Sequence, residues 1–265
     1  MTTPKPASRP QAAVAATSTV PAPRARRKRP GAVNGIARQF GGPSGLIGHL
    51  VTGLLARGNA SFNRWLVHEL GTVVPPPATV LELGCGPGIA LWELLAAYPA
   101  ATVAGIDRSP VVLTSARRRN AAAIASGRLT LVIGGIEKAV PHAPADLVLA
   151  CHVLYFWADP VRELRRINDI LAPHGHVALG YQLRRDMPPI SQRTFPREGF
   201  TLYDSDDQVA AVLQHAGFTP PEVRVFGEPA HPGGRLALAA PAPGRQAGAN
   251  GRHTASTPTF EWRPS

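Results

Sequence analysis

The stretch Val80–Ala90 constrains the fold more than any other part of this 265-residue chain. The apolar run Thr79–Leu83 predicts a buried β-strand, the glycines at every second position of Gly84–Gly88 predict a tight turn, and Leu91–Ala97 predicts a helix. A glycine turn lets the backbone approach a ligand closely, and the free N–H groups of the following helix point toward that ligand. We therefore expect a nucleotide-like cofactor above this strand.

The glycine spacing distinguishes two classes of nucleotide site. The dinucleotide fingerprint of NAD and FAD proteins has its third glycine three residues after the second, where this chain has Ile89. The stretch Glu82–Gly88 instead resembles the Glu/Asp-x-Gly-x-Gly-x-Gly signature of class I S-adenosylmethionine (SAM) dependent methyltransferases. This resemblance implies a Rossmann-like fold, SAM as the cofactor, and cofactor contacts by five residues: Glu82, Gly84, Cys85, Gly86 and Gly88.

Strand and helix patterns alternate along the middle of the chain, which predicts a doubly wound α/β domain with a mainly parallel sheet. Seven strands are expected, at Thr79–Leu83, Thr102–Asp107, Leu129–Ile133, Asp146–His152, His176–Leu183, Glu222–Phe226 and Arg235–Ala239, the last two as an antiparallel hairpin. Helices are expected over Pro110–Ser126, from Pro160, and from Asp204 with Asp207. The resemblance to the methyltransferases covers roughly Ala78–Ala240.

Asp107 ends the second predicted strand, 19 residues after Gly88. This position lies at the tip of the neighbouring parallel strand, on the same edge as the glycine turn. A carboxylate there can accept hydrogen bonds from both hydroxyls of a ribose, and the resemblance implies that role. The alternative, a helix cap before Pro110, is weaker because Ser109 itself supplies a capping side chain.

The third predicted strand leads into Gly134–Glu137. Related methyltransferases often have Gly-Asp-Ala-Glu here, with the Asp accepting a hydrogen bond from the adenine amine, whereas this chain has Gly135. Backbone groups around Gly135 are then the expected contacts to the ring edge. The resemblance further implies cofactor contacts by Ile136, which can pack on the ring face, by Glu137 and by Arg108.

The fourth predicted strand ends at His152, and in the related family the loop that faces the methyl acceptor follows this strand. His152 and Tyr155 are therefore the candidate catalytic residues, because a base helps when the acceptor must lose a proton. If His152 is that base, the rate should rise with pH around 6 to 7. The alternative role for both is packing or lining the acceptor site. Phe156 and Trp157 predict an apolar wall, which favours a lipophilic or aromatic small-molecule acceptor.

The formal net charge of +11 is concentrated at the two ends of the chain. Residues 1–38 hold eight Lys or Arg and no acidic residue, whereas residues 39–240 hold 17 basic and 16 acidic residues. A nearly neutral domain lacks the basic face that counterion-release binding to nucleic acid requires. Any affinity for nucleic acid or for an anionic membrane surface is therefore expected only in the basic tail.

Two amphipathic helices are predicted before the first strand, over 43–58 and 60–70, where they either cover the cofactor and acceptor site or pack against the domain. Four parts of the chain follow: a disordered basic tail (1–38), a helical lid segment (39–77), the SAM-binding domain (78–240) and a disordered tail (241–265).

Cys85 and Cys151 are too few for a disulfide framework, and no spacing of residues indicates a metal site. With no apolar run of signal-peptide or membrane-spanning length, a cytoplasmic protein is expected. The pattern does not indicate an oligomeric state.

Three other functions are consistent with parts of the sequence. A nucleic-acid methyltransferase steered by the basic tail is the first, and a noncatalytic SAM-binding regulatory domain, suggested by Gly135, is the second. A nicotinamide oxidoreductase is the third and is disfavoured by the glycine spacing. Thermal-shift measurements with SAM, S-adenosylhomocysteine (SAH), NAD and NADP would distinguish the cofactor classes.

Overall fold

A computed structural model describes residues 60–189, 192, 201–228 and 231–244. Seven strands form one sheet: β1 (Thr79–Leu83), β2 (Thr102–Asp107), β3 (Leu129–Ile133), β4 (Ala145–Cys151), β5 (Leu171–Tyr181), β6 (Glu222–Glu228) and β7 (His231–Ala239). Their order is β3-β2-β1-β4-β5-β7-β6. The first five strands are parallel, and β7 is antiparallel to both β5 and β6. The predicted Rossmann-like α/β fold is confirmed.

Helices cover both faces of the sheet. They are α1 (60–73), α2 (Ile89–Ala97), α3 (Pro110–Arg119), α4 (Ala121–Ala125), α5 (Pro160–Ile170) and α6 (Asp206–His215). One buried apolar cluster joins α1, α2 and α3 to the sheet, and a second joins α5 and α6 to it. This arrangement leaves the carboxyl edge of the parallel strands for a ligand site.

The helix α1 packs directly on the sheet through two glycines. A Cβ on Gly180 of β5 would lie 2.6 Å from Leu66 Cδ1, and one on Gly234 of β7 would lie 2.5 Å from Phe62 Cε2. Ion pairs from Arg64 to Glu93 (3.3 Å) and from Arg224 to Glu69 (2.6 Å) join the same helix to α2 and β6. The predicted helix over 60–70 is therefore present, whereas the one over 43–58 and both predicted tails lie outside the described residues, apart from 241–244.

The single helix predicted over Pro110–Ser126 is wrong, because α3 and α4 are separated by Asn120. The side chain of Asn120 is only 1% exposed and donates hydrogen bonds to Gly88 O and Ala116 O, both at 3.1 Å. These contacts hold the backbone of Asn120 at φ −110° and ψ 26°, outside helical values. A buried polar contact thus interrupts an otherwise continuous helical pattern.

Several element boundaries also differ from the prediction, and two of them have a clear local cause. The strand β5 begins at Leu171 and not at His176, because Leu171 already pairs with Ala145 ahead of a bulge. The helix α6 is capped by Ser205, whose Oγ accepts a hydrogen bond from Gln208 N at 3.3 Å, and not by Asp204. Ser and Asp are equally good helix-capping residues, so the sequence alone does not decide which of two neighbours caps the helix. The local backbone geometry decides it.

Among the residues that the structure describes, no helix is long and apolar enough to cross a membrane. The same part of the chain contains no group of three or more His, Cys, Asp or Glu side chains arranged to hold a metal ion.

Candidate functional site

The glycine turn between β1 and α2 uses backbone conformations that favour glycine. Gly84, Gly86 and Gly88 have φ of 65°, 52° and 74°. A Cβ on Gly84 would overlap with Cγ2 of Val153, the second residue after β4. The backbone therefore runs close beneath the carboxyl edge of the sheet, with the first N–H groups of α2 directly after it.

Asp107 at the end of β2 holds this turn in place. Its Oδ2 accepts a hydrogen bond from Gly86 N at 2.9 Å, and its Oδ1 accepts one from Ser109 N at 2.8 Å. Burial raises the pKa of the Asp107 carboxyl group, although both N–H donors act in the opposite direction. The side chain of Ser109 makes no capping hydrogen bond to α3, so the expected Ser109 cap is wrong. Asp107 thus lies at the expected edge, where it supports the backbone of the glycine turn and also that of Ser109 at the start of α3, the place of the alternative helix cap.

Glu82 is the least solvated acidic group of the site, with 3% of its surface exposed. The backbone N–H of Leu91, in the first turn of α2, favours its ionised form. Burial, followed by the negative charge of Asp107, raises the pKa of Glu82 well above its usual range. Its Oε2 atom is buried and has no hydrogen-bond partner among the described residues. A buried acceptor of this kind needs a donor, which a ligand above the turn can supply.

In the loop after β3, charged side chains occupy the space that a side chain at position 135 would need. A Cβ on Gly135 would lie 2.6 Å from Glu137 Oε2 and 3.0 Å from Arg108 Nη2. Gly135 N donates a hydrogen bond to Glu137 Oε1 at 2.9 Å, and this bond lowers the pKa of Glu137. Ile136 is buried, with 7% of its surface exposed. This loop therefore brings an apolar residue and a carboxylate close to the guanidinium group of Arg108, which follows β2.

Arg119, the last residue of α3, and Asn120 after it support the glycine turn, and neither contact was predicted from the sequence. Besides the bonds of Asn120, Arg119 Nε donates a hydrogen bond to Pro87 O at 3.2 Å. A Cβ on Gly88 would lie 2.6 Å from Asn120 Nδ2. A short polar residue inside a continuous helical pattern was the only sequence signal, and it does not specify a partner 32 residues away.

His152 lies directly after β4 in a left-handed conformation, with φ of 56°. Its backbone N–H donates to Gly180 O at 2.7 Å. The imidazole ring lies between two aromatic rings, with centroids 5.1 Å from Phe62 and 6.3 Å from Tyr155. Loss of hydration in this apolar setting lowers the pKa of His152 to about 4. A pKa of about 4 argues against the expected titration around pH 6 to 7, and a role of His152 as the base stays a prediction.

The hydroxyl group of Tyr155 is already hydrogen-bonded to backbone. It donates to Gln182 O at 3.2 Å and accepts from Gln182 N. Burial raises the pKa of Tyr155 above its usual value, although the hydrogen bond with Gln182 acts in the opposite direction. These contacts argue against a role as a base and tie the turn after β4 to the segment after β5.

The two cysteines are free thiols. Cys85 is buried in the glycine turn, and Cys151 Sγ donates to Asn63 Oδ1 of α1 at 3.1 Å. Burial raises the pKa of both thiols, so both are uncharged at neutral pH.

Comparisons with known proteins agree with this geometry. A family model described as a methyltransferase domain matches residues 55–223. A protein of Bacillus subtilis (strain 168) described as an uncharacterized methyltransferase is 28% identical over 147 residues, which cover 55% of this chain and 78% of that protein. A trans-aconitate 2-methyltransferase of Methylobacterium nodulans is 36% identical over 103 residues, but the matched segment covers only 39% of this chain and 38% of that relative.

The solved structure of human N-acetylserotonin methyltransferase with SAM has the same fold, with a TM-score of 0.55 and 20% identity, covering 72% of this chain and 54% of that one. The chain therefore belongs to the methyltransferase domain family and is a class I SAM-dependent methyltransferase by fold and motif. SAM is the cofactor of this class. The glycine turn and the unpartnered Glu82 Oε2 fit such a ligand, because they offer close backbone approach and a buried acceptor.

Proposed function

We propose that this chain transfers the methyl group of SAM to a small, uncharged, aromatic or lipophilic acceptor at the carboxyl end of β4. The observation that carries the proposal is the group of rings around a neutral imidazole: Phe62, His152 and Tyr155, with Trp65 and Phe226 behind Phe62 at centroid distances of 5.7 and 5.6 Å. Such a wall contacts flat apolar molecules well and contributes no charge near pH 7.

Six groups are proposed to hold the cofactor. The backbone of Gly84–Gly88 lies beneath it, Asp107 accepts from the ribose hydroxyls, and Glu82 Oε2 accepts from a donor of the amino-acid part. Ile136 packs on the adenine ring, with Glu137 and Arg108 at its edge. When bound, SAM supplies an electrophilic methyl group. The protein's main contribution is then alignment of the acceptor with that methyl group.

His152 is proposed to position the acceptor rather than to titrate during the reaction. A ring with a pKa of about 4 stays neutral across the physiological range and can accept or donate one hydrogen bond. The left-handed backbone conformation of His152 fixes the direction of its ring, which lies beside Phe62. We expect His152→Ala to raise the KM for the acceptor while the pH profile between 5.5 and 9 keeps its shape. If the wild-type profile has an inflection near pH 6 to 7 and His152→Ala lacks it, His152 is the base after all.

A second candidate is methylation of a carboxylate, because several relatives carry the name trans-aconitate 2-methyltransferase. A polycarboxylate acceptor requires unpaired cationic groups. In the part of the chain described after β5, Arg184 is paired with Asp204 at 3.0 Å, and Arg235 is paired with Asp186 at 2.5 Å. These pairs favour the uncharged acceptor over the carboxylate.

The test measures transfer of the radiolabelled methyl group of SAM by the full chain to three acceptor sets: neutral phenols, polycarboxylates including trans-aconitate, and bulk tRNA at low and high salt. Transfer to the phenols is the expected result. Transfer only to polycarboxylates supports the second candidate, and salt-sensitive transfer only to RNA supports a nucleic-acid methyltransferase. SAM binding without transfer to any set supports a noncatalytic binding domain.

A further inference from the structure

Glu82 is a buried carboxyl group with no cation beside it in the described part of the chain. No Lys, Arg or His there forms an ion pair with it, and its Oε2 atom has no hydrogen-bond partner. The single group that favours its ionised form is the backbone N–H of Leu91. A carboxylate in this position has lost its hydration without gaining a counter-ion, which is unfavourable and favours uptake of a proton.

The neighbouring elements do not supply the missing positive charge. From β2, Asp107 adds a second negative charge, and the exposed Arg108 acts on Asp107. From the glycine turn and from β4, the thiols of Cys85 and Cys151 are uncharged. From the turn after β4, His152 is neutral. From α1, the buried polar side chain is the uncharged amide of Asn63, which accepts a hydrogen bond from Cys151.

A cofactor with a cationic amino-acid part would reverse this balance. SAM and its product SAH both carry an α-ammonium group, and SAM also carries a sulfonium charge. A positive charge close to Glu82 and Asp107 favours ionised carboxylates in both. The proton leaving Glu82 Oε2 goes to the buffer, and no covalent bond to carbon or sulfur changes.

We propose that Glu82 carries a proton before the cofactor binds and releases it when the ammonium group of the cofactor enters the site, so that cofactor binding is coupled to proton release. The inference rests on the SAM site of the proposed function, and it gives Glu82 a proton-exchange role in addition to that of a hydrogen-bond acceptor.

Calorimetry on the full chain measures this coupling directly. SAH is titrated between pH 5.5 and 7 in buffers of different ionisation enthalpy, because the buffer dependence of the heat counts the protons released. We expect net proton release on SAH binding below the pKa of Glu82, where the affinity rises by up to tenfold per pH unit before levelling off above that pKa. In Glu82→Gln both the release and the pH slope disappear.

Two further ligands identify the charge responsible. 5′-Methylthioadenosine has the nucleoside but neither the ammonium nor the sulfonium charge, so it should bind without releasing a proton. Equal release by SAM and SAH identifies the ammonium group, whereas release by SAM alone identifies the sulfonium and contradicts the ammonium assignment. Release by 5′-methylthioadenosine equal to that by SAH would overturn the proposal.

Two variants keep the test decisive if Glu82→Gln fails to fold. Asp107→Asn removes the neighbouring negative charge, so the release should move to lower pH even though the affinity falls. Asp146→Asn, at the opposite edge of the sheet, should leave the release unchanged. Binding of both SAH and SAM without buffer-dependent heat sinks the proton coupling alone, whereas no binding of either ligand sinks the proposed SAM site as well.

Discussion

Asp107 and Asp146 form a natural pair for testing the cofactor site. Each carboxylate accepts two backbone hydrogen bonds, Asp107 from Gly86 N and Ser109 N, and Asp146 from Ala78 N and Thr79 N at 2.9 Å each. Asp107 lies at the carboxyl end of β2, on the proposed ligand edge, whereas Asp146 lies at the opposite edge, at the start of β4. The two residues therefore share a structural role, and only one of them is proposed to touch the cofactor.

Replacing either residue with alanine should cost stability. A hydrogen bond to a charged group contributes about 1.5–3 kcal/mol, so two lost bonds, offset by relief of the burial cost, give a loss of about 2–4 kcal/mol. For a chain of this size that loss lowers Tm by roughly 5–15 °C. Asp107→Ala should also weaken SAH binding by about ten- to a hundredfold, because a charged acceptor of ribose hydroxyls is removed.

The measurement combines thermal unfolding with SAH calorimetry at a temperature where all three proteins are folded. We expect both variants to lose Tm and only Asp107→Ala to lose affinity. A dissociation constant for Asp107→Ala within threefold of the wild-type value would remove Asp107 from the cofactor site. Equal losses of affinity in both variants would show that SAH binding weakens because the protein is less stable, and not because Asp107 contacts the cofactor.

Two further predictions concern packing and buried charge. Gly180→Ala places a methyl group against α1 and should lower stability by about 1–3 kcal/mol. A Cβ on Gly71 would meet nothing within 4 Å, so Gly71→Ala in the helix α1 should raise stability slightly. Thermal unfolding of both variants checks this, and equal Tm values would contradict it. Arg235→Met leaves the buried carboxylate of Asp186 without its cation, removes the ion pair to the partly exposed Asp206, and should cost about 3–5 kcal/mol at pH 7. Denaturant unfolding of this variant at pH 7 measures the cost, and a stability within about 1 kcal/mol of the wild-type value, as for an exposed ion pair, would argue against this reasoning.

Local patterns account for the parts of the fold that the sequence predicted. The buried strand, the glycine turn and the helix after it depend on neighbouring residues, and Asp107 follows from strand order alone. The class of protein follows from the same short stretch, because the glycine spacing separates SAM sites from dinucleotide sites.

Contacts between distant residues account for what the sequence did not predict. The break at Asn120 depends on the carbonyl of Gly88, and the low pKa of His152 depends on apolar surroundings that include Phe62 from α1. The Tyr155 hydroxyl likewise depends on Gln182, which lies 27 residues further along the chain. A residue type carries no information about such partners until the chain is folded.

The contact between Val153 and Gly84 also has a thermodynamic consequence. Val153 follows His152 directly, and its side chain fills the space that a Cβ on Gly84 would need. A displacement of the glycine turn must therefore displace the turn that carries the proposed acceptor wall. If cofactor binding shifts Gly84 in this way, the affinities of the two substrates are linked, and by reciprocity each substrate strengthens or weakens binding of the other by the same factor.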